Sequence, residues 1–163
     1  GDRIAVAGQT ASANFPFTGN RYQGVLAGGT DAFVTVLAST GAALVFSSYF
    51  GGTAADSDVR MRVQPNEDIW LAGRCTGSTP TSANAYQTIS NSLGTGELFF
   101  AVLDRSNVSA TSLRYGTYFG GTGDDFLLVR QGEGKRERSR ARLLAAPQDA
   151  VRLPLAEAPQ PGR

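Results

Sequence analysis

The chain has 163 residues, 41 % hydrophobic and only 18 % charged, with 20 glycines and a formal net charge of +1. Low charge with abundant glycine favours many short strands joined by tight turns, and no run of about 18 apolar residues offers a membrane span. Having no histidine, the chain lacks the commonest general base, the commonest transition-metal ligand and any Ser-His-Asp arrangement, while Cys75 has no second cysteine to bond.

In chain order, a first strand is expected at Ile4–Gly8, followed by the long polar connection Gln9–Thr30. Strands near Asp31–Leu37, Leu44–Phe50 and Asp58–Val63 come next, each rich in β-branched or aromatic residues. The first of these, Asp31–Leu37, is apolar on both faces, which predicts burial inside a stack of sheets. In the last, Val59, Met61 and Val63 alternate with Arg60 and Arg62, the pattern of an edge strand with one wet face. The same series then begins again. Ile69-Trp70-Leu71-Ala72-Gly73 repeats Ile4-Ala5-Val6-Ala7-Gly8, and Asn84-Ala85-Tyr86-Gln87 repeats Asn20-Arg21-Tyr22-Gln23. Glu97–Leu103 repeats Asp31–Leu37, and Tyr118-Phe119-Gly120-Gly121-Thr122 repeats Tyr49-Phe50-Gly51-Gly52-Thr53. The offsets are 65, 64, 66 and 69 residues, a drift produced by loops of unequal length between fixed strands. Leu113–Phe119 repeats the face of Leu44–Phe50, and a fainter fourth strand is expected near Phe126–Arg130.

The expected organisation is therefore one β repeat unit over 1–66, a second over 67–130, and a tail over 131–163. The fold class is all-β and β-propeller-like, with about two four-stranded antiparallel units. Residues 1–130 hold 8 basic and 10 acidic residues, whereas the tail holds 7 basic and 4 acidic ones, no aromatic, and Pro147, Pro154, Pro159 and Pro161. That composition predicts disorder or a non-native reading frame, and it outweighs a nucleic-acid site in the basic run Lys135–Arg142. Two units do not close a ring, so unpaired sheet edges are expected to make the isolated chain marginal, oligomeric or aggregation-prone.

The "VAG" strand, the Asn-x-Tyr-Gln connection, the "DAFVTVL" strand and the "YFGGT…DD" turn together resemble the SBBP β-propeller repeats. Phe33, Tyr49, Gly51, Gly52, Gly120, Gly121, Asp124 and Asp125 carry the resemblance, which covers about residues 2–130 and ends after Gly134. It implies that the chain is a fragment of about two repeats from a large, bacterial, secreted or surface-attached protein. The other repeats of the parent propeller would be its first partners, and extracellular or cell-surface protein or polysaccharide a further one.

No residue constellation reads as catalytic, and no cofactor is expected. Asp56, Asp58, Asp124 and Asp125 sit in or beside Gly-rich turns, where carboxylates suit Ca²⁺ or, more simply, cap turn amides. No complete Asp-x-Asp-x-Asp-Gly loop supports the metal. Adjacent Asp124 and Asp125 in extended chain would point to opposite faces, wrong for a shared substrate, and a pair between Asp31 and Glu97 stays open. Gly28-Gly29-Thr30 lacks the Gly-Lys-Ser/Thr of a phosphate loop. Tyr22, Trp70 and Tyr86 are candidates for stacking on sugar rings or for burial between sheets. Asn107-Val108-Ser109 fits a glycosylation acceptor, and Cys75 reads as an inert loop thiol. The leading functional expectation is a non-catalytic structural or interaction module, and the alternative is a carbohydrate-active or carbohydrate-binding propeller.

Overall fold

Strands form where the apolar, β-branched and aromatic residues concentrate: β1 (Ile4–Thr10), β2 (Asp31–Leu37), β3 (Leu44–Phe50), β4 (Asp56–Val63), β5 (Ile69–Cys75), β6 (Glu97–Leu103) and β7 (Leu113–Phe119). The structure, a computed structural model, describes residues 3–92 and 94–127, and a 3-10 turn at Ser109–Ser112 is the one helical element among them. The all-β expectation holds. Two antiparallel sheets result, in the orders β1-β2-β3 and β4-β5-β6-β7. The expected strand near Phe126–Arg130 falls mostly, and the tail 131–163 wholly, outside the described residues.

Corresponding strands of the two sequence repeats occupy corresponding places. Gly8 lies opposite Phe33 in the first sheet as Gly73 lies opposite Phe99 in the second, and Phe33 pairs with Tyr49 as Phe99 pairs with Tyr118. The strand β4 breaks the parallel. It belongs to the sequence unit 1–66 yet is hydrogen-bonded to β5, because the turn at 64–68 folds it straight back in a hairpin. Two backbone bonds close that turn, from Gln64 N to Asp68 O at 2.8 Å and from Glu67 N to Gln64 O at 2.8 Å, with Glu67 at φ +70°. The switch between sheets thus falls in the Gly51–Ala55 turn, ahead of the repeat boundary. As the arginine pattern suggested, β4 is an edge strand.

The sheets face each other and enclose one core. Ala32, Val34, Val36, Phe46 and Phe50 of the first sheet meet Val59, Ile69, Leu71, Cys75, Phe99, Ala101 and Leu103 of the second. Alternation along each strand puts these residues on one side, so a shift by one residue would expose all of them. Backbones approach most closely where β1 and β2 lie over β4. Farther out, aromatic rings fill the gap, Phe50 and Phe99 lying 5.4 Å apart between centroids.

The second face of β2 is not sandwiched by another sheet, as its two apolar faces had suggested. Phe15 of the β1–β2 connection covers it instead, its ring 4.4 Å from that of Phe33. The outer edges also differ from expectation. Beside β3 the connection supplies Thr18 N to Ser47 O at 3.1 Å and accepts Tyr49 N at Gln23 O at 3.1 Å. Beside β7, Ser82 N bonds Gly116 O at 3.0 Å and Tyr118 N bonds Gln87 O at 3.0 Å. Each long connection therefore closes the edge of its own sheet, which removes that route to edge-to-edge pairing.

Candidate functional site

The residues best placed for chemistry gather around the two Gly-Gly turns. In the first unit, Gln23 of the connection reaches under the turn. Its Nε2 donates to Asp31 Oδ2 at 2.7 Å and to Val25 O at 2.8 Å, while its Oε1 accepts from Gly51 N at 3.0 Å. Asp31, fully buried at the start of β2, also accepts from Ala27 N at 2.9 Å and Gly28 N at 3.1 Å. Asp56, buried at the start of β4, accepts from Gly52 N at 3.0 Å and from Thr79 Oγ1 at 3.1 Å. A Cβ on Gly51 would touch both carboxylates, so glycine is what lets the two acids approach across the turn.

The second unit repeats this arrangement. Gln87 Nε2 donates to Glu97 Oε1 and, at 3.0 Å, to Ile89 O, and Gln87 Oε1 accepts from Gly120 N at 3.3 Å. Glu97 Oε2 accepts from Asn91 N at 2.9 Å, and Asp125 Oδ2 accepts from Gly121 N at 3.0 Å. Glu97 and Asp125 flank Gly120 as Asp31 and Asp56 flank Gly51. These oxygens face N–H and O–H donors, which is how buried carboxylates are ordinarily satisfied.

Burial pushes the Asp56 carboxyl up to about 7, with the nearby Asp31 adding to the rise. The Gly52 N–H and Thr79 hydroxyl bonds oppose it without prevailing. Burial likewise pushes the Cys75 thiol up to about 11, so this cysteine is buried and unreactive at neutral pH. It ends β5 and donates to Glu97 O at 3.5 Å, rather than sitting in a loop as its sequence context suggested.

Of the acids proposed for Ca²⁺, Asp56 and Asp125 cap turn amides, and Asp58 is exposed at a bulge of β4 with φ +52°. Asp124 pairs with Arg74 at 2.6 Å, whereas Asp125 accepts from Gly121 N. Among the described residues, no three His, Cys, Asp or Glu side chains converge as a group that could hold a metal ion. Asp31 and Glu97 each bond within their own unit. The approach of Asp31 to Asp56 was not anticipated, nor were the roles of Gln23 and Gln87. The available signal was that a glutamine, an acid and a Gly-Gly pair recur together in both units.

The aromatic candidates separate. Tyr22 is half-buried against Phe50, 5.6 Å between centroids, and burial raises its hydroxyl. Trp70 and Tyr86 are exposed on the outer side of the second sheet. Tyr86 stacks at 6.1 Å on Phe119, and both border an open cleft with Gln87, Asn91, Gly121 and Asp125. Val108 in the glycosylation-like triplet is also exposed. Among the described residues no helix is long and apolar enough to cross a membrane. Searches of protein-family models, curated proteins and solved structures find no match to this chain.

Proposed function

We propose that the chain is a non-catalytic structural and interaction module, a part of a larger secreted or surface β-propeller protein of the SBBP type. The observation that carries this reading is the doubled network at the Gly-Gly turns. In both units the carboxylates and the glutamine are spent on the same internal bonds, and a role repeated at matched positions serves the repeat rather than a single reaction centre. Two sheets that face each other and approach most closely at one side fit neighbouring blades of a radial array. Its partners are then the other repeats of the parent protein, with protein or polysaccharide at the cell surface beyond them.

The reading is tested by the DNA on both sides of this coding segment, read in all frames past Gln131. Further units with the "VAG", "DAFVTVL" and "YFGGT" blocks are expected, and flanks without any would remove the larger array. A carbohydrate-binding reading draws on one observation, the exposure of Trp70 and of Tyr86 beside a cleft holding Asn91, Gln87 and Asp125. Titration of the single tryptophan's fluorescence with bacterial polysaccharides separates the two, since saturable quenching would favour sugar binding.

A further inference from the structure

The two outer faces of this pair of sheets are the unpartnered copies of its two inner faces. On the second sheet, Phe119 is 52 % exposed and Phe100 is 36 % exposed, whereas their repeat counterparts Phe50 and Val34 are 0 % exposed under the neighbouring sheet. On the first sheet, Ile4 and Val6 are 47 % and 44 % exposed, whereas their counterparts Ile69 and Leu71 are 0 % and 3 % exposed. The internal interface therefore shows what covers each kind of face. A Phe119-type face is covered by an Ile4-type face, and this chain carries one of each that none of the described residues covers. Contiguous exposed apolar surface of this kind marks an association site.

Glycine 121 supplies a separate observation. Its counterpart Gly52 must be glycine, because a Cβ there would overlap the backbone carbonyl of Ser78 in the β5–β6 connection of the second sheet. Around Gly121 nothing lies within 4 Å of a Cβ position. The backbone is bare at a place where none of the described residues calls for it, and where the next sheet's connection would seat.

We propose that a second copy of this chain docks the Ile4–Val6 face of its first sheet onto the Phe100–Phe119 face of the second sheet, head to tail. Asn14 precedes Phe15 as Ser78 precedes Thr79, the N–H groups of Phe15 and Thr79 donating to the matched hydroxyls of Tyr49 and Tyr118, so Asn14 of the arriving copy then occupies the place that Ser78 holds over Gly52, now over Gly121. Because the two faces differ, the contact is heterologous and leaves a free face at each end, so association continues beyond a dimer unless the rotation closes a ring. Part of the internal interface has no equivalent, because the first sheet lacks a counterpart of β4, the strand on which β1 and β2 pack most closely. The bond from Thr79 to Asp56 beside the first turn is missing too, since Phe15 stands at the Thr79 position in the first unit, where its N–H donates to the Tyr49 hydroxyl as that of Thr79 donates to Tyr118. The intermolecular contact is correspondingly weaker than the internal one and is concentration-dependent. It does not require that the chain come from a larger protein, since it needs only the two faces present here.

Sedimentation velocity of the full 163-residue chain, from about 1 μM to about 1 mM, tests the proposal. The weight-average mass should rise with concentration. Val6→Glu on one face, and Phe119→Glu or Gly121→Ala on the other, should each weaken association at least about thirtyfold, the scale of a central contact, while circular dichroism shows the fold intact. An equimolar mixture of Val6→Glu and Phe119→Glu should form a complex that stops at two chains, since each variant keeps one good face. A wild-type chain that stays monomeric throughout would overturn the proposal. So would a Val6→Glu variant that still dimerises alone, which signals pairing of like faces, or association indifferent to all three substitutions, which signals pairing through strand edges. Gly121→Ala keeps the test sound should a glutamate variant fail to fold, because it adds a methyl group to open space.

Discussion

The two Gly-Gly turns share a sequence, a hydrogen-bond pattern and a pair of flanking carboxylates, yet they stand in different surroundings. The first turn passes from one sheet to the next and lies beneath the connection that carries Ser78 and Thr79. The second ends β7 in the open, with Gly121 unobstructed and Asp125 only partly buried. Local sequence therefore sets the bonding within the turn, and tertiary contacts set what each residue is worth. The largest expected consequence is at the second glycine. Gly52→Ala drives a methyl group into backbone that cannot move aside and should cost about 3 kcal/mol, the upper range for overpacking. Gly121→Ala should stay within about 0.5 kcal/mol of wild type. Urea unfolding of the two variants, with unchanged slopes, measures the difference, and equal losses would show that the turn itself and not its cover demands glycine.

Burial at the first turn also shifts the titration of Asp56. Asp56 holds its proton to about 7 in the folded chain, while in the unfolded chain it ionises near 3.8. Between those values the native state binds more protons, so this group's contribution to stability is full below about 4 and is lost as pH rises through about 7. Asp104 acts oppositely. Its bonds from Ser106, with Arg114 alongside, hold its carboxyl down to about 2, so its contribution is present above 3.8 and is lost as pH falls toward 2. Asp56→Asn should flatten the decline between pH 4 and 7 and leave the acid limb in place. A change on the order of 2 kcal/mol across that window is expected. Melting temperatures at half-unit pH steps provide the check, and a wild-type profile flat from pH 4 to 7 would mean that Asp56 is already ionised in the fold.

Much of this fold was legible in the sequence because the repeat is written in strand-forming blocks. The alternation of Leu44, Phe46, Ser48 and Phe50 identified the face that carries Phe46 and Phe50 into the core, and the arginines of β4 marked an edge. Other features depend on which elements meet in space, which no local pattern encodes. The hairpin at 64–68, rather than the repeat boundary, decides that β4 joins the second sheet. The second apolar face of β2 is covered by Phe15, a single ring from a connection that reads as polar. Gln23 and Gln87 stood out only as repeated letters, because a glutamine's role appears once its two ends are seen on a carboxylate and a glycine amide. The raised carboxyl of Asp56 comes from its burial in the assembled fold, with the Thr79 hydroxyl, 23 residues along the chain, opposing the rise.

The smallest expected contrast lies at those two glutamines. Gln23 and Gln87 make the same three bonds: to the acid opening β2 or β6, to the first glycine of the turn, and to a carbonyl two residues on. Alanine at either position removes the acceptor of a glycine amide and one donor of a buried carboxylate. The loss depends on whether water can replace the missing partner. Gly51 is buried and both of its carboxylates lie in the interior, so Gln23→Ala should cost about 2 kcal/mol, within the range for orphaned buried groups. Gly120 is partly exposed beside the open cleft, which lets water reach its amide, and Gln87→Ala should cost about 1 kcal/mol. Chemical denaturation resolves a difference of that size. If the ordering reverses, the second turn is the more protected of the two in solution, as it would be once another copy had covered the Phe119 face. Repeating the measurement on the Val6→Glu background, where such coverage is blocked, should then restore the original order.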